Sequence, residues 1–552
     1  MLTNLLLAAA SVASFNWFEY RGDDNLPKPT PTEYSNPILQ GFYPDPSITR
    51  VGDDYYLVNS TFSWFPGIPV FHSRDLVNWT QIGNAIDRPE QLDFKTLGLS
   101  RGVFAPAISW HDGIFYIVNT CVDCGGNFVI TAKNPAGPWS QPTWLPEIEG
   151  GIDPSLFFDE DGSAWLVNNL PPPGKPLYDG HRAIWVQRFD IKTLKLTGPR
   201  TLLVNGGVRP EEKPIWIEGP HIFRKDGWYY LIAAEGGTAE GHSQVVLRSR
   251  SVTGPYEPSP GNPILTQRDL PRDRPNPITS AGHADFVQTG RGEWWATFLA
   301  TRPYAGDFYN TGRETFLMPV HWKDGWPTIT EAGEAIPWVA ARPNLPGGNK
   351  PPVPLNGSFV FRETFAGSKL PLHWMMMRNP RESWWKIERG ALELRARPVA
   401  LGDNGNPSFL ARRQQHLNAT ATTEIRFDPS KGVEAGIVAL QSDDFWYFLA
   451  MGEDKGRPVI RLKRRAGPSD PATGAIIQQA ALSRKGSVQL RIDARGGKYD
   501  FSWSNDGNRW NLLAKDVDGT VLSTKRAGGF VGTIFGVHAY QSLDVSGSEK
   551  GR

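Results

Sequence analysis

Asp226-Gly227-Trp228-Tyr229-Tyr230-Leu231-Ile232 sets a two-residue Asp-Gly turn ahead of an aromatic and apolar strand, and the arrangement recurs along the chain. Gly52-Asp53-Asp54-Tyr55-Tyr56-Leu57-Val58, Asp112-Gly113-Ile114-Phe115-Tyr116-Ile117-Val118, Asp161-Gly162-Ser163-Ala164-Trp165-Leu166-Val167 and Gly290-Arg291-Gly292-Glu293-Trp294-Trp295-Ala296 are the other four copies. Asp and Gly tolerate the positive φ of a tight turn, so each copy predicts a β-hairpin. Ahead of each turn lies a short segment, at Asp45-Pro46-Ser47, Ala105-Pro106-Ala107, Asp153-Pro154-Ser155, Glu218-Gly219-Pro220 and Ala284-Asp285-Phe286. After it comes another strand, as in Val129-Ile130-Thr131-Ala132-Lys133 or Val245-Val246-Leu247-Arg248-Ser249.

Five such units of about 60 residues predict the blades of a five-bladed β-propeller over residues 35–327, whose radial closure protects the sheet edges. The innermost strand of every blade lines the axis, so residues at its mouth converge on one cavity. By this alignment they are Asp45, Ala105, Asp153, Glu218 and the His283/Asp285 neighbourhood. Past Trp326-Pro327 the unit stops, and residues 328–358, with Pro346-Gly347-Gly348 and Pro351-Pro352-Val353-Pro354, read as a linker. Alternating segments resume over residues 359–545, among them Phe359 to Phe365, Ala391 to Ala396, Thr422 to Phe427, Ala435 to Leu440, Trp446 to Met451, Val488 to Asp493 and Tyr499 to Trp503. They predict a β-sandwich of jelly-roll type. The fold class is therefore all-β, a propeller followed by a sandwich.

Composition agrees. Of 552 residues 39% are hydrophobic and 12% aromatic, which excludes a mainly disordered chain, and 57 Gly with 47 Pro describe many turns between short strands. Fifty-eight basic against 57 acidic side chains leave a net charge of +1, so nothing draws the chain to nucleic acid or to an anionic membrane, and a neutral partner is expected. No apolar run reaches the roughly 20 residues that span a bilayer. Leu5 to Ala10, followed by small residues, marks residues 1–14 as a signal-like segment, so a secreted, extracellular protein is expected. Four Asn-x-Ser/Thr sequons, at Asn59, Asn78, Asn356 and Asn418, are compatible with a glycoprotein. Cys121-Val-Asp-Cys124 is too small a ligand set for structural zinc and lacks a redox context, which leaves a local disulfide or two thiols.

Three carboxylates on three blades facing one funnel raise one another's pKa, the arrangement general acid–base chemistry uses. Breaking a bond between sugars takes a carboxylic acid on the leaving oxygen and a carboxylate that activates water on the opposite face. Each residue has a plainer reading. Asp-Pro-Ser is a common turn whose Asp caps its own backbone, and two copies in a repeat can be inherited geometry. Glu218 sits among apolar neighbours in Trp216-Ile217-Glu218-Gly219-Pro220-His221, where desolvation raises a pKa, and a buried Glu with a satisfied partner is the alternative.

Gly41-Phe42-Tyr43-Pro44-Asp45-Pro46-Ser47, Ser60-Thr61-Phe62-Ser63-Trp64-Phe65-Pro66-Gly67, His72 to Trp79, Gly102-Val103-Phe104-Ala105-Pro106, Gly151-Ile152-Asp153-Pro154-Ser155 and Ile217-Glu218-Gly219-Pro220 together resemble glycoside hydrolase family 43, with its β-xylosidases and α-L-arabinofuranosidases. The fungal arabinoxylan-acting members are nearest in pattern. The resemblance implies that Asp45 is the general base, Glu218 the general acid and Asp153 the carboxylate that orients and tunes the acid, with inversion at the anomeric centre. It further implies substrate-binding roles for His283 and Arg313, the latter having an ion pair with Glu314 as its plainer reading, and for Phe62, Trp64 and Phe104 as pocket walls. Many members carry Trp where this chain has Phe104. Trp374, Trp384 and Trp385 are either a second sugar-stacking surface or, more simply, core.

The expected function is an inverting hydrolase that releases terminal α-L-arabinofuranose from arabinoxylan or arabinoxylo-oligosaccharides. An exo-β-1,4-xylosidase and a non-catalytic glycan-binding propeller are the alternatives. A monomer is expected, with no cofactor required for catalysis. The resemblance allows one structural Ca2+, beneath His283 or in the sandwich.

Overall fold

Asp112 and Gly113 adopt φ of 47° and 79°, and Asp226 and Gly227 adopt 50° and 73°, the left-handed pair that turns a hairpin with the native strand twist. His111 accordingly pairs with Ile114, and Lys225 with Trp228, across two-residue turns. Val51 pairs with Asp54 in the same way. The computed structural model describes residues 11–483 and 486–543. They form two units: Asn25–Asp307 with Thr311–Gly357, and a second holding the segment up to Asp24, Phe308–Asn310 and the chain from Ser358 onward.

The first unit contains five antiparallel blades, with innermost strands Ser47–Val51, Gly102–His111, Ile152–Phe158, Glu218–Lys225 and Thr279–Gln288. Each inner strand packs beside the next and the fifth packs beside the first, so the ring closes as the repeat predicts. Second strands such as Ile114–Val122 and Trp228–Glu235 are buried between blades. The interface of blades four and five, for example, holds Tyr230, Ile232, Val246, Phe286, Phe298 and Phe316. Fully burying each such side chain is worth about 1.5–3 kcal/mol.

Polar spokes fix the blades near the axis. Asp285 of the fifth blade accepts from Ser47 Oγ at 2.8 Å and Ile48 N at 2.9 Å in the first, and Ser47 Oγ accepts from Ile108 N of the second at 3.1 Å. Ser155 Oγ donates to Pro220 O at 2.6 Å, joining the third and fourth. The ring is locked by the stretch before the first blade: Asn36 both donates to Leu317 O and accepts from Leu317 N at 3.0 Å, and Glu33–Ser35 pairs with Val339–Ala341.

That last pairing corrects the linker expected at 328–358. Leu355 is buried, its carbonyl accepts from Gln40 N at 2.8 Å, and Gly348 N donates to Asp75 at 2.7 Å. The Pro-rich stretch is packed on the propeller, because prolines lacking N–H groups can lie along a surface without leaving donors unpaired.

The second unit is a sandwich. One sheet runs Trp385–Glu388, Ala391–Arg395, Val12–Gly22, Asn418–Arg426, Ser487–Arg495, Lys498–Ser504 and Asn511–Asp518, with Phe359–Glu363 also on Val12–Gly22. The other runs Phe409–Arg413, Ile534–Gln541, Val433–Ser442, Phe445–Asp454, Arg457–Ala466 and Ala475–Ala481. The signal-like reading needs a boundary correction. Its apolar core lies outside the described residues, but Val12–Ser14 belong to a central strand whose Phe15, Phe18 and Tyr20 are buried. A register shift between Phe15 and Trp17 breaks the strict alternation that would have marked it as a strand. Trp374 and Trp384 are core, as the simpler reading had it.

Cys121 and Cys124 form a disulfide. The sequon at Asn59 is not available to an enzyme in the folded protein: its amide is buried and donates to Tyr43 O, Pro44 O and Thr315 Oγ1 at 3.0 Å each. Among the described residues no helix is long and apolar enough to cross a membrane.

The spokes predict a specific fragility. Asp285→Ala removes the acceptor for three buried donors, Ser47 Oγ, Ile48 N and Phe286 N, and should destabilise the protein by about 3 kcal/mol. A urea denaturation followed by tryptophan fluorescence should show the lowered midpoint.

Candidate active site

On four blades the inner strand breaks register where it reaches the mouth of the axis. The shifts fall between Phe104 and Ala107, Ile152 and Ser155, Glu218 and His221, and twice between Thr279 and Asp285. A bulge leaves residues unpaired and re-aims their side chains. Asp45, Asp153 and His283 take left-handed φ of 52°, 51° and 55°, and Gly219 57°. The result is one cavity lined by Asp45, Ala105, Asp153, Gly219, His221 and His283. Carboxyl and imidazole atoms of Asp153, Glu218 and His283 all lie within 4.8 Å of one another.

The turn-capping reading of the two Asp residues fails on their partners. Asp45 Oδ1 accepts from Arg313 Nη1 at 3.0 Å and Oδ2 from Ser60 Oγ at 2.5 Å. Asp153 Oδ2 accepts from Gly219 N at 3.1 Å, on the neighbouring blade. Nor is Arg313 paired with Glu314, which is buried against Arg302 instead, at 2.8 Å from its Nη2.

The three acids are driven apart in protonation. Burial pushes Asp45 up, but the Arg313 guanidinium, then His283 and the Ser60 hydroxyl, outweigh it and hold the carboxyl below the usual range. Asp153 is pushed up to about 7 by burial and by the charge of Asp45. Glu218 is raised well above the ordinary value by burial, then by Asp153 and Asp45. Burial drops His283 to about 4, so its imidazole is neutral at physiological pH. The cavity thus holds one ionised carboxylate bound to a cation beside two carboxyls that resist ionisation.

Phe62 and Phe104 meet edge to face with centroids 5.3 Å apart; Phe62 is buried while Phe104 keeps part of its ring open. Phe62 and Trp64 both correct the expectation of pocket walls: they are 1% and 0% exposed, Trp64 packed against Phe42 with centroids 6.5 Å apart, so of the three aromatics only Phe104 keeps an open face. A large indole is worth more inside the fold than at a polar cavity.

Sequence reasoning missed four residues here. Ser60 opens the Ser60-to-Gly67 motif, but its bond to Asp45 is a matter of tertiary distance. Thr238 Oγ1 accepts from Arg313 Nη1 at 3.0 Å. His242 is buried, its Nδ1 is 2.9 Å from Ser280 O, and burial drops its pKa to about 3, so neutral Nδ1–H donates there. Arg182 opens the third strand of blade three, off the inner strands that the repeat aligns, yet its charge acts on both Asp153 and Glu218.

For a calcium ion the side chains fit poorly. Calcium takes six to eight oxygens, whereas the cluster of close ligating groups among the described residues, Asp153, Glu218 and His283, offers only two carboxyls and an imidazole nitrogen.

Residues 34–327 match the model of glycosyl hydrolases family 43, and residues 362–549 match that of the beta xylosidase C-terminal concanavalin A-like domain. The chain is 39% identical over 511 residues to a xylosidase/arabinosidase of Butyrivibrio fibrisolvens, covering 92% of this chain and 95% of that protein. It is 36% identical to a non-reducing end alpha-L-arabinofuranosidase of Bacteroides ovatus, covering 92% and 91%. A crystal structure of a subfamily 12 member of family 43 from a capybara gut metagenome superimposes with a TM-score of 0.89 at 38% identity, covering 96% of this chain and 100% of that one.

The protonation split sets a pH profile. Because Asp45 is held low and the Asp153–Glu218 pair high, kcat/KM should be bell-shaped, with its alkaline limb near or above neutrality. Asp153→Asn removes a negative charge that opposes ionisation of Glu218, so the alkaline limb should move down by about one unit. Gly219→Ala places a Cβ 2.9 Å from the His283 ring at a left-handed φ, and should lower kcat at least about tenfold in the same assay.

Proposed function

This chain belongs to the family 43 glycosyl hydrolases, and we propose that it is an inverting, exo-acting α-L-arabinofuranosidase that removes terminal arabinofuranose from arabinoxylan and its oligosaccharides. The observation that carries the reaction is the protonation split on non-adjacent blades: Asp45, in the cavity lining, is held ionised, while Glu218, within 4.8 Å of the cavity-lining Asp153 and His283, is held protonated. Asp45 takes a proton from water as its oxygen attacks the anomeric carbon. Glu218 gives its proton to the glycosidic oxygen as that bond breaks on the opposite face. The new hemiacetal carries inverted configuration, and proton exchange with water resets both carboxyls. Asp153 keeps Glu218 protonated and holds Gly219 N at 3.1 Å, which fixes the acid's backbone.

Arg313 keeps Asp45 ionised and presents further N–H groups to sugar hydroxyls. Neutral His283 forms part of the floor and the Phe104 ring offers C–H groups a flat face. No step needs a metal. The arabinose preference is supported by the similarity to the Bacteroides ovatus relative, an alpha-L-arabinofuranosidase. A second reading, an exo-β-1,4-xylosidase, is favoured by the C-terminal domain, whose model is named for beta xylosidases.

We also propose that the protein works outside the cell as a monomer. The disulfide suits an oxidising compartment, and a leader would have to be cut before Val12, since the strand that starts there is central to a sheet.

Hydrolysis of 4-nitrophenyl α-L-arabinofuranoside and of the β-D-xyloside, measured side by side, should favour the first. Strong activity on the xyloside alone would replace this reading by the second. Glu218→Gln and Asp45→Asn should each lower kcat on an arabinoxylo-oligosaccharide by about 10³-fold or more. Proton NMR of the first product formed should show the anomer opposite to that of the substrate, and retained configuration would sink the mechanism.

A further inference from the structure

The exposed aromatic beside the acid remains without a role in the reaction as described. Trp216 is 40% exposed, whereas Trp64, Trp79, Trp374, Trp384 and Trp446 are almost completely buried. It stands two residues before Glu218 with a left-handed φ of 51°, a conformation that is unfavourable for a bulky side chain. The surroundings impose it: Trp216 N donates to Gly180 O at 2.8 Å, and Asn169 Nδ2 donates to Ile217 O at 2.5 Å. Behind the indole, the Arg182 guanidinium lies 5.1 Å from the ring centroid, itself fixed by Asn169 Oδ1 and Gly150 O at 2.8 Å each. A strained backbone and a doubly anchored cation thus hold one indole plate at the surface.

We propose that Trp216, backed by Arg182, is the platform on which the leaving-group sugar stacks, and that this sugar is a xylose unit of a xylan chain. The proposal rests on Glu218 being the general acid. The acid's proton goes to the glycosidic oxygen, so the next sugar must lie on the Glu218 side of the cavity, away from Asp45 and Arg313. Trp216 stands two residues from Glu218 and packs on Arg182, whose charge acts on both Glu218 and Asp153. The adjacent exposed side chain, Ile215, is apolar and offers a neutral ligand further contact. A xylopyranose has no hydroxymethyl arm, so its ring presents a flat C–H face to an indole, and the plate selects for ring shape where charge has nothing to grip.

Calorimetric titration of the full-length protein with xylotetraose tests this without turnover. Trp216→Ala should weaken binding about tenfold, and Trp216→Phe should recover most of the loss. In kinetics, Trp216→Ala should lose at least about tenfold more kcat/KM on an arabinoxylo-oligosaccharide than on methyl α-L-arabinofuranoside, mainly through KM, with circular dichroism unchanged. Failure of the wild type to bind xylotetraose, equal affinity of the alanine variant, or equal losses on the two substrates would overturn the proposal. Trp216-dependent binding in a protein that cleaves neither pentoside would overturn the reaction assigned above and leave the platform standing.

Discussion

Two carboxyl groups line one cavity and a third, Glu218, lies within 4.8 Å of one of them, and the rest of the site follows from how their charges are kept from accumulating. A single ionised carboxylate can be held there because Arg313 lies 3.0 Å away. A second must stay protonated, since burial and the first charge both oppose its ionisation. The centre therefore rests close to neutral, with one carboxyl favouring the ionised form and another the protonated form. A neutral sugar needs nothing more from electrostatics. The balance of acidic and basic residues over the whole chain points the same way.

Holding that arrangement takes backbone strain. The acids and His283 sit at bulges or in left-handed conformations, where a regular strand would have sent alternate side chains away from the axis. The strain is absorbed by the bonds that tie the blades together. Asp285 and Ser47 join three blades with three hydrogen bonds, and Ser155 joins two more. Stability and reactivity are thus served by residues two positions apart: Asp45 bonds Arg313 and Ser60 while Ser47 ties blades together, and Asp153 and Ser155 divide the same way.

How much was legible in the chain can be judged from particular residues. Asp45, Asp153 and Glu218 were found because a repeat puts equivalent positions in register, and a propeller turns equivalent positions into neighbours. His283 and Arg313 came through motif resemblance. Trp64 was misplaced because the same motif places an aromatic without saying which way it turns. Arg182, Thr238 and His242 carried no signal, since they approach the axis from outside the inner strands and no local pattern encodes that approach. The N-terminal strand was hidden by its register shift, and the Pro-rich stretch looked like a tether because composition does not report what a segment packs against.

The order of turn and apolar residues along the chain determined hairpins, their number and hence the ring, because turn chemistry and strand alternation are local and need no partner. It also determined which acids stand at the mouth. What each acid carries, a charge or a proton, was decided only by the tertiary structure. Protonation in a buried site depends on distances to Arg313, to Ser60 and to the other acids, groups that lie up to 268 residues away in sequence and meet only when the ring closes.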